Sequence, residues 1–128
     1  MTIIMNDQLA KSYIDGFNEE IRKAKVEEIQ KTSIEEVQKD KAKVEAIKKT
    51  ENQEDSRQHG INDADKVLAY REGLIRSGIS GEKLYQMEQI NRSRVLELNN
   101  KEEAYACGFS DGDREKIAEL LRDEGITR

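Results

Sequence analysis

The chain has 128 residues and a formal net charge of −5, with 35% hydrophobic and 38% charged residues and no proline or tryptophan. This length allows one domain with a modest core, and the composition favours long polar helices. Acidic and basic residues are interspersed, which argues against a basic nucleic-acid surface. No apolar run reaches the length of a membrane span, and a single cysteine excludes an intrachain disulfide. We therefore expect a cytoplasmic all-α protein.

The first predicted element is one long, coiled-coil-like helix from about Tyr13 to Thr50. Its first third is aromatic and is expected to pack on a core. The rest carries an aliphatic stripe made by three near-copies of a short pattern that begin at Val26, Ile34 and Val44. The stripe consists of Val26, Ile29, Ile34, Val37, Val44 and Ile47. A helix this polar cannot bury the stripe alone, so it needs either another chain or the C-terminal half as its partner. We expect it to pair with a second copy as a homo-oligomer or with another protein.

Spacing within the stripe leaves the shape of this helix open. The copies are separated by eight and ten residues, which is not a heptad repeat and does not specify an ideal coiled coil. The sequence also leaves open whether the helix continues or folds back near residue 40. The predicted organisation is residues 1–50 as the long helix, 51–62 as a polar linker, and 63–128 as a compact bundle of three to four shorter helices.

In the predicted bundle, glycines and small polar residues mark where the helices end. The first helix is expected to stop at Ser77 and Gly78, and Ser80 to cap the next one. Near Ser110–Asp113 the pattern fits either a turn or a weak point in one longer helix, and Gly125 is expected to end the last helix. The apolar residues predicted to point inward are Val67, Leu68, Tyr70, Leu74, Ile75, Leu84, Met87, Ile90, Val95, Leu98, Ile117, Leu120 and Leu121.

A Tyr-x-x-Gly-apolar pattern occurs three times along the chain. Its residues are Tyr13, Gly16 and Phe17; Tyr70, Gly73 and Leu74; and Tyr105, Gly108 and Phe109. Glycine inside a helix costs about 1 kcal/mol relative to alanine, so three matching glycines need a physical reason. The simplest is the close approach of another helix over each glycine. The alternative is an aromatic-lined groove for a partner helix or small ligand, with the tyrosine hydroxyls as its polar groups.

Residues 67–95 also resemble a helix-turn-helix, with Gly78, Ile79 and Ser80 in the turn. If this segment bound DNA, the side chains available to the groove would include Lys83, Gln86, Gln89 and Arg92. Against this, the segment carries little net positive charge, and Glu82 and Glu88 lie on the same helix. DNA binding is therefore the second hypothesis.

Residue types needed for catalysis are sparse. The one histidine, His59, falls in the predicted linker, while Cys107 lies on a predicted apolar helix, so we expect an exposed histidine and a buried structural thiol. Asp111-Gly112-Asp113 lacks the spacing of a calcium loop. The sequence thus predicts no enzyme, cofactor or metal site. It predicts a helical protein-interaction module, acting as an adaptor, scaffold or inhibitor, of a kind typical of phage or mobile elements.

Overall fold

A computed structural model describes residues 7–26 and 32–125, which form six helices and no strand. The helices are α1 (Asp7–Lys23), α2 (Ile34–Lys39), α3 (Lys41–Lys48), α4 (Gln53–Arg76), α5 (Gly81–Leu96) and α6 (Lys101–Asp123). The all-helical prediction is therefore confirmed for this part of the chain. None of these helices has both the length and the apolar character of a membrane-spanning segment.

The described chain divides after Asp65 into two compact units. The N-terminal unit contains α1, α2, α3 and the first part of α4, while the C-terminal unit contains the rest of α4 with α5 and α6. The predicted boundary at residues 51–62 lies instead inside the N-terminal unit. Each unit has a hydrophobic core of its own.

The single long helix predicted for residues 13–50 is wrong, because the segment is interrupted twice by local backbone features. Lys25 has a left-handed φ of 57°, just beyond the end of α1. Ser33 then caps α2 by accepting a hydrogen bond from the Glu36 N–H. Asp40 has an extended backbone and accepts from the Lys43 N–H at the start of α3. Single capping residues are enough to end a helix, although no glycine or proline marks these positions.

The predicted polar linker is also wrong, because α4 begins at Gln53 and runs through it. Asn52 accepts a hydrogen bond from the Asp55 N–H at this end of the helix. The residues that α4 buries here are Ser56, Gly60 and Asp63, which are small or polar. A search for hydrophobic periodicity does not detect such a buried face.

In the N-terminal unit, α2 and α3 pack on α1. Its core joins Ala10 and Tyr13 to Val37, Val44 and Ile47, with Leu9 and Ile14 packed against this cluster. Burial of three aliphatic side chains, each contributing roughly 1.5–3 kcal/mol, compensates for the short length of α2 and α3. Three residues of the aliphatic stripe, Val37, Val44 and Ile47, are thus buried against α1 of the same chain.

In the C-terminal unit, Gly78 and Ile79 make the turn between α4 and α5. Gly78 has a φ of +103°, a conformation that favours glycine, and Ile79 is buried. The core of this unit consists of Tyr70, Leu74, Ile79, Leu84, Val95 and Ala104. The helix α6 is continuous through residues 110–113, so the weak point predicted there does not break it. Asn100 caps this helix through the Glu103 N–H at 2.9 Å.

Candidate functional site

The residues of the three Tyr-x-x-Gly copies lie at two helix crossings. In the N-terminal unit, α1 and α4 cross with glycine on both sides. A methyl carbon on Gly16 would collide with the Arg57 carbonyl oxygen, and one on Gly60 would collide with the Tyr13 carbonyl oxygen. These two pairings run in opposite directions along the helices, so the helices are antiparallel where they cross. The backbones approach too closely for any side chain to fit between them.

The C-terminal unit repeats this crossing between α4 and α6. A methyl carbon on Gly73 would collide with the Tyr105 carbonyl oxygen, and one on Gly108 would collide with the Tyr70 carbonyl oxygen. The third Tyr-x-x-Gly copy therefore lies opposite the second copy. It occupies the position that Arg57 and Gly60 hold in the N-terminal unit. The same sequence pattern thus occurs on both helices of this crossing, α4 and α6.

Each crossing is held by the same hydrogen bond between a tyrosine and an aspartate. The Tyr13 hydroxyl donates to the Asp63 carboxylate at 2.5 Å, and the Tyr70 hydroxyl donates to the Asp111 carboxylate at 2.8 Å. In both cases the aspartate lies three residues beyond the glycine of its helix. Burial raises the pKa of the Tyr70 hydroxyl, and the bond to Asp111 raises it further. These hydroxyls are engaged within the chain rather than presented to a ligand.

The surroundings of the two carboxylates differ. The Asp63 side chain is 5% exposed, and its neighbour His59 lies 3.8 Å away with its ring against that of Tyr13. Asp111 also bonds Arg94 and lies 3.5 Å from Arg114. Asp111 therefore keeps cationic partners that do not depend on the tyrosine.

These surroundings predict unequal effects of removing the two hydroxyls. We expect Tyr13→Phe to lower the free energy of unfolding by about 2 kcal/mol, as for a buried hydrogen bond to a carboxylate. Tyr70→Phe is expected to cost about half as much, because the Tyr70–Asp111 bond is only part-buried, whereas the Tyr13–Asp63 bond is buried. Urea unfolding of the two variants beside the wild type measures both values. A loss for Tyr70→Phe equal to or above that for Tyr13→Phe would contradict this assignment.

The structure also locates His59 and Cys107, which the sequence predicts to have no catalytic role. His59 lies within α4 rather than in a linker, and its side chain is 40% exposed. Cys107 is half-buried, and its thiol accepts a hydrogen bond from Arg94 at 2.9 Å. They lie in different units. Among the described residues, no group of three or more potential ligands is arranged to hold a metal ion.

The aliphatic stripe does not form the predicted partner surface. Val37, Val44 and Ile47 are each at most 1% exposed and lie in the core of the N-terminal unit. Ile34 is 40% exposed, Val26 is half-buried outside any helix, and Ile29 lies outside the described residues. The prediction of an oligomer surface is therefore corrected for Val37, Val44 and Ile47, which face their own core.

The predicted DNA-contacting side chains do not form a free cationic surface on α5. Lys83 lies 2.6 Å from Glu115 and 3.9 Å from Glu119, both on α6. The hydrogen bond from Lys83 holds the pKa of Glu115 below its ordinary value. Gln86 is exposed, whereas Gln89 and Arg92 are half-buried. Glu88 on the same helix is buried and pairs with Arg71 at 2.6 Å.

Several large apolar side chains of α6 lie on the solvent side, although the sequence predicts some of them to point inward. Ile117 and Leu120 are 51% and 60% exposed, and Phe109 is 45% exposed. The reason is the crossing, because α6 buries Ala104, Gly108 and Gly112 against the rest of its unit. Only small residues fit at so close a crossing, so the large ones remain outside.

Acidic residues lie among these exposed apolar side chains. At about 100° per residue, Glu102, Asp113 and Glu124 fall within the arc that holds Phe109, Ile117 and Leu120. We call these six residues, of which Glu124 is the C-cap just beyond the last residue of the helix, the outward face of α6. No lysine or arginine of α6 falls within the arc. Lys116 and Tyr105 lie just outside one edge of the arc, beside Phe109; Tyr105 is 37% exposed, and Lys116 pairs with Glu119 at 3.5 Å.

Three other acids of α6 differ from those of the outward face. Asp111, Glu115 and Glu119 point toward the neighbouring helices or along α6 and form ion pairs. The three carboxylates of the outward face have no ion pair with any residue that the structure describes. All three are exposed, so a cation of a partner could reach them.

Comparisons of this chain with family models, with curated proteins and with solved structures find no match.

Proposed function

We propose that this chain is a non-enzymatic helical module that binds another protein through the outward face of α6. The observation that carries the proposal is the exposure of Phe109, Ile117 and Leu120 along one side of a single well-capped helix. These apolar side chains share one side of the helix with polar residues between them, and exposed apolar side chains rimmed by polar ones are typical of protein interaction sites. A regular helix also presents these side chains at fixed spacing, so that little ordering is needed on binding.

The titratable side chains of the interior support a structural rather than a catalytic role. Tyr13 with Asp63, and Tyr70 with Asp111, join helices at the two crossings. The Arg71–Glu88 pair joins α4 to α5. Groups that could act as acids or bases are thus used to hold helices together.

Substituting one residue of the outward face tests the proposal. We expect Leu120→Ser to leave stability within about 0.5 kcal/mol, because the side chain is largely exposed. It should weaken binding of the cellular partner at least tenfold, as expected for a central apolar contact. Tagged wild type and Leu120→Ser are compared in affinity capture from the native cell, and the captured protein is then purified and its Kd measured for both.

Ile90→Ser supplies a matched control for this experiment. Ile90 is an exposed aliphatic residue of α5, 79% accessible and outside the outward face. The control variant should bind the partner as the wild type does. Equal binding by wild type and Leu120→Ser, or equal loss in both variants, would refute the assignment of binding to α6.

A further inference from the structure

From the outward face of α6 we infer the chemical class of its partner: a basic amphipathic helix whose Lys or Arg residues meet Glu102, Asp113 and Glu124. This inference rests on the proposed function and specifies what that function recognises. Its first support is the placement of unpaired carboxylates among the exposed apolar side chains. A partner that covered Phe109 and Leu120 without cations would desolvate Asp113 and leave it uncompensated, which opposes binding.

The shape of the face indicates a helix as its occupant. Phe109, Ile117 and Leu120 extend along one continuous helix, and the intervals of eight and three residues keep them on one side. A second helix packed along α6 would meet them with its own residues at three- and four-residue spacing. Acids lie near both ends of the face and at its middle, so basic residues of the partner would be spread along its helix.

A second copy of this chain fits the face poorly. An antiparallel pair of α6 helices that brings Phe109 against Ile117 of the other copy would also bring the two copies of Asp113 together. Like charges in such a contact are unfavourable, and the nearest cation of α6, Lys116, lies outside the arc and already pairs with Glu119 at 3.5 Å. Charge complementarity therefore favours a different, basic chain.

Two designed peptides test the inference directly. Both are 18-residue helical peptides with leucine at the same three- and four-residue spacing, one with lysine and one with glutamate at the remaining positions. Binding to the full-length protein is measured by fluorescence anisotropy over a range of salt concentrations. We expect the lysine peptide to bind with an affinity that falls as salt rises, and the glutamate peptide to bind at least tenfold more weakly.

Matched variants distinguish peptide binding at the outward face of α6 from non-specific attraction to the net negative charge of the protein. Asp113→Asn is expected to weaken binding of the lysine peptide about fivefold and to reduce its salt dependence. Glu51→Gln removes the same charge from an exposed position in the N-terminal unit and should leave binding unchanged. Leu120→Ser should weaken binding at least tenfold, because the apolar contact is lost.

The outcomes distinguish the partner class from the proposed function. Equal binding of both peptides, abolished by Leu120→Ser, would overturn the basic partner while leaving a binding face on α6. Lysine-peptide binding that is insensitive to both Asp113→Asn and Leu120→Ser would overturn the inference as non-specific attraction. A protein that light scattering shows to be dimeric, and that Leu120→Ser makes monomeric, would replace the basic partner with a second copy.

Discussion

Val37→Asp is expected to lower the free energy of unfolding by about 4 kcal/mol, the scale of an uncompensated buried charge. Val37 is fully buried in the cluster that joins α2 and α3 to α1. An aspartate there would lose its hydration and would also forfeit the apolar contacts of the valine. Urea unfolding followed by circular dichroism measures the change. The variant should unfold at a lower urea midpoint, or should lose part of its helical signal at a lower urea concentration than the remainder.

Ile34→Asp is the matched control in the same short helix. Ile34 is 40% exposed and belongs to the same aliphatic stripe in the sequence. We expect it to change stability by less than about 0.5 kcal/mol. If the stripe were instead a surface for a second copy, both substitutions would reduce association and neither would unfold the chain. Equal, small effects on stability would thus contradict the core assignment of Val37.

The stripe shows why helical periodicity in the sequence predicts burial but not the partner. Val37, Val44 and Ile47 were predicted to be covered, and they are covered. The predicted partner was another chain, because a continuous helix cannot reach its own stripe. Ser33 and Asp40 divide the segment into short helices, which lets it turn back onto α1. Capping hydrogen bonds worth about 1 kcal/mol each distinguish these outcomes, and single Ser or Asp residues are too common to mark them.

The same limit applies to α4 and α6, where small residues form the buried side. Ser56, Gly60 and Ala64 recur at four-residue intervals in α4, as do Ala104, Gly108 and Gly112 in α6. This small-residue spacing is the signal from which both crossings could have been located. A search for periodically spaced large apolar residues does not detect this small-residue spacing, and it predicts that Ile117 and Leu120 are buried. The candidate binding face was missed for that reason.

The tyrosine–aspartate bonds lie beyond what sequence patterns can predict. Tyr13 and Asp63 are separated by 50 residues, and Tyr70 and Asp111 by 41. The repeated Tyr-x-x-Gly pattern identifies the tyrosines but not the acid each one meets. Only the antiparallel pairing of the helices brings each aspartate, three residues beyond a glycine, to the tyrosine hydroxyl.

Gly108→Ala is expected to lower the free energy of unfolding by about 3 kcal/mol, despite the better helix propensity of alanine. On an open helix surface the substitution would stabilise by about 1 kcal/mol. At Gly108 the new methyl carbon would collide with the carbonyl oxygen, carbonyl carbon and Cα of Tyr70. These are backbone atoms, so α4 and α6 must separate, which weakens the Tyr70–Asp111 bond and opens the core below.

Ser110→Ala tests mainly propensity on the same helix, since Ser110 is exposed and its hydroxyl loses only a long surface hydrogen bond from Arg114, 3.4 Å. It should be neutral or slightly stabilising in the same urea titration. Gly60→Ala, at the equivalent place in the N-terminal unit, should resemble Gly108→Ala, because its methyl carbon meets the Tyr13 carbonyl oxygen. If Gly108→Ala were as stable as Ser110→Ala, the helices could separate at no cost. The close crossing would then not explain why α6 leaves its large apolar residues exposed.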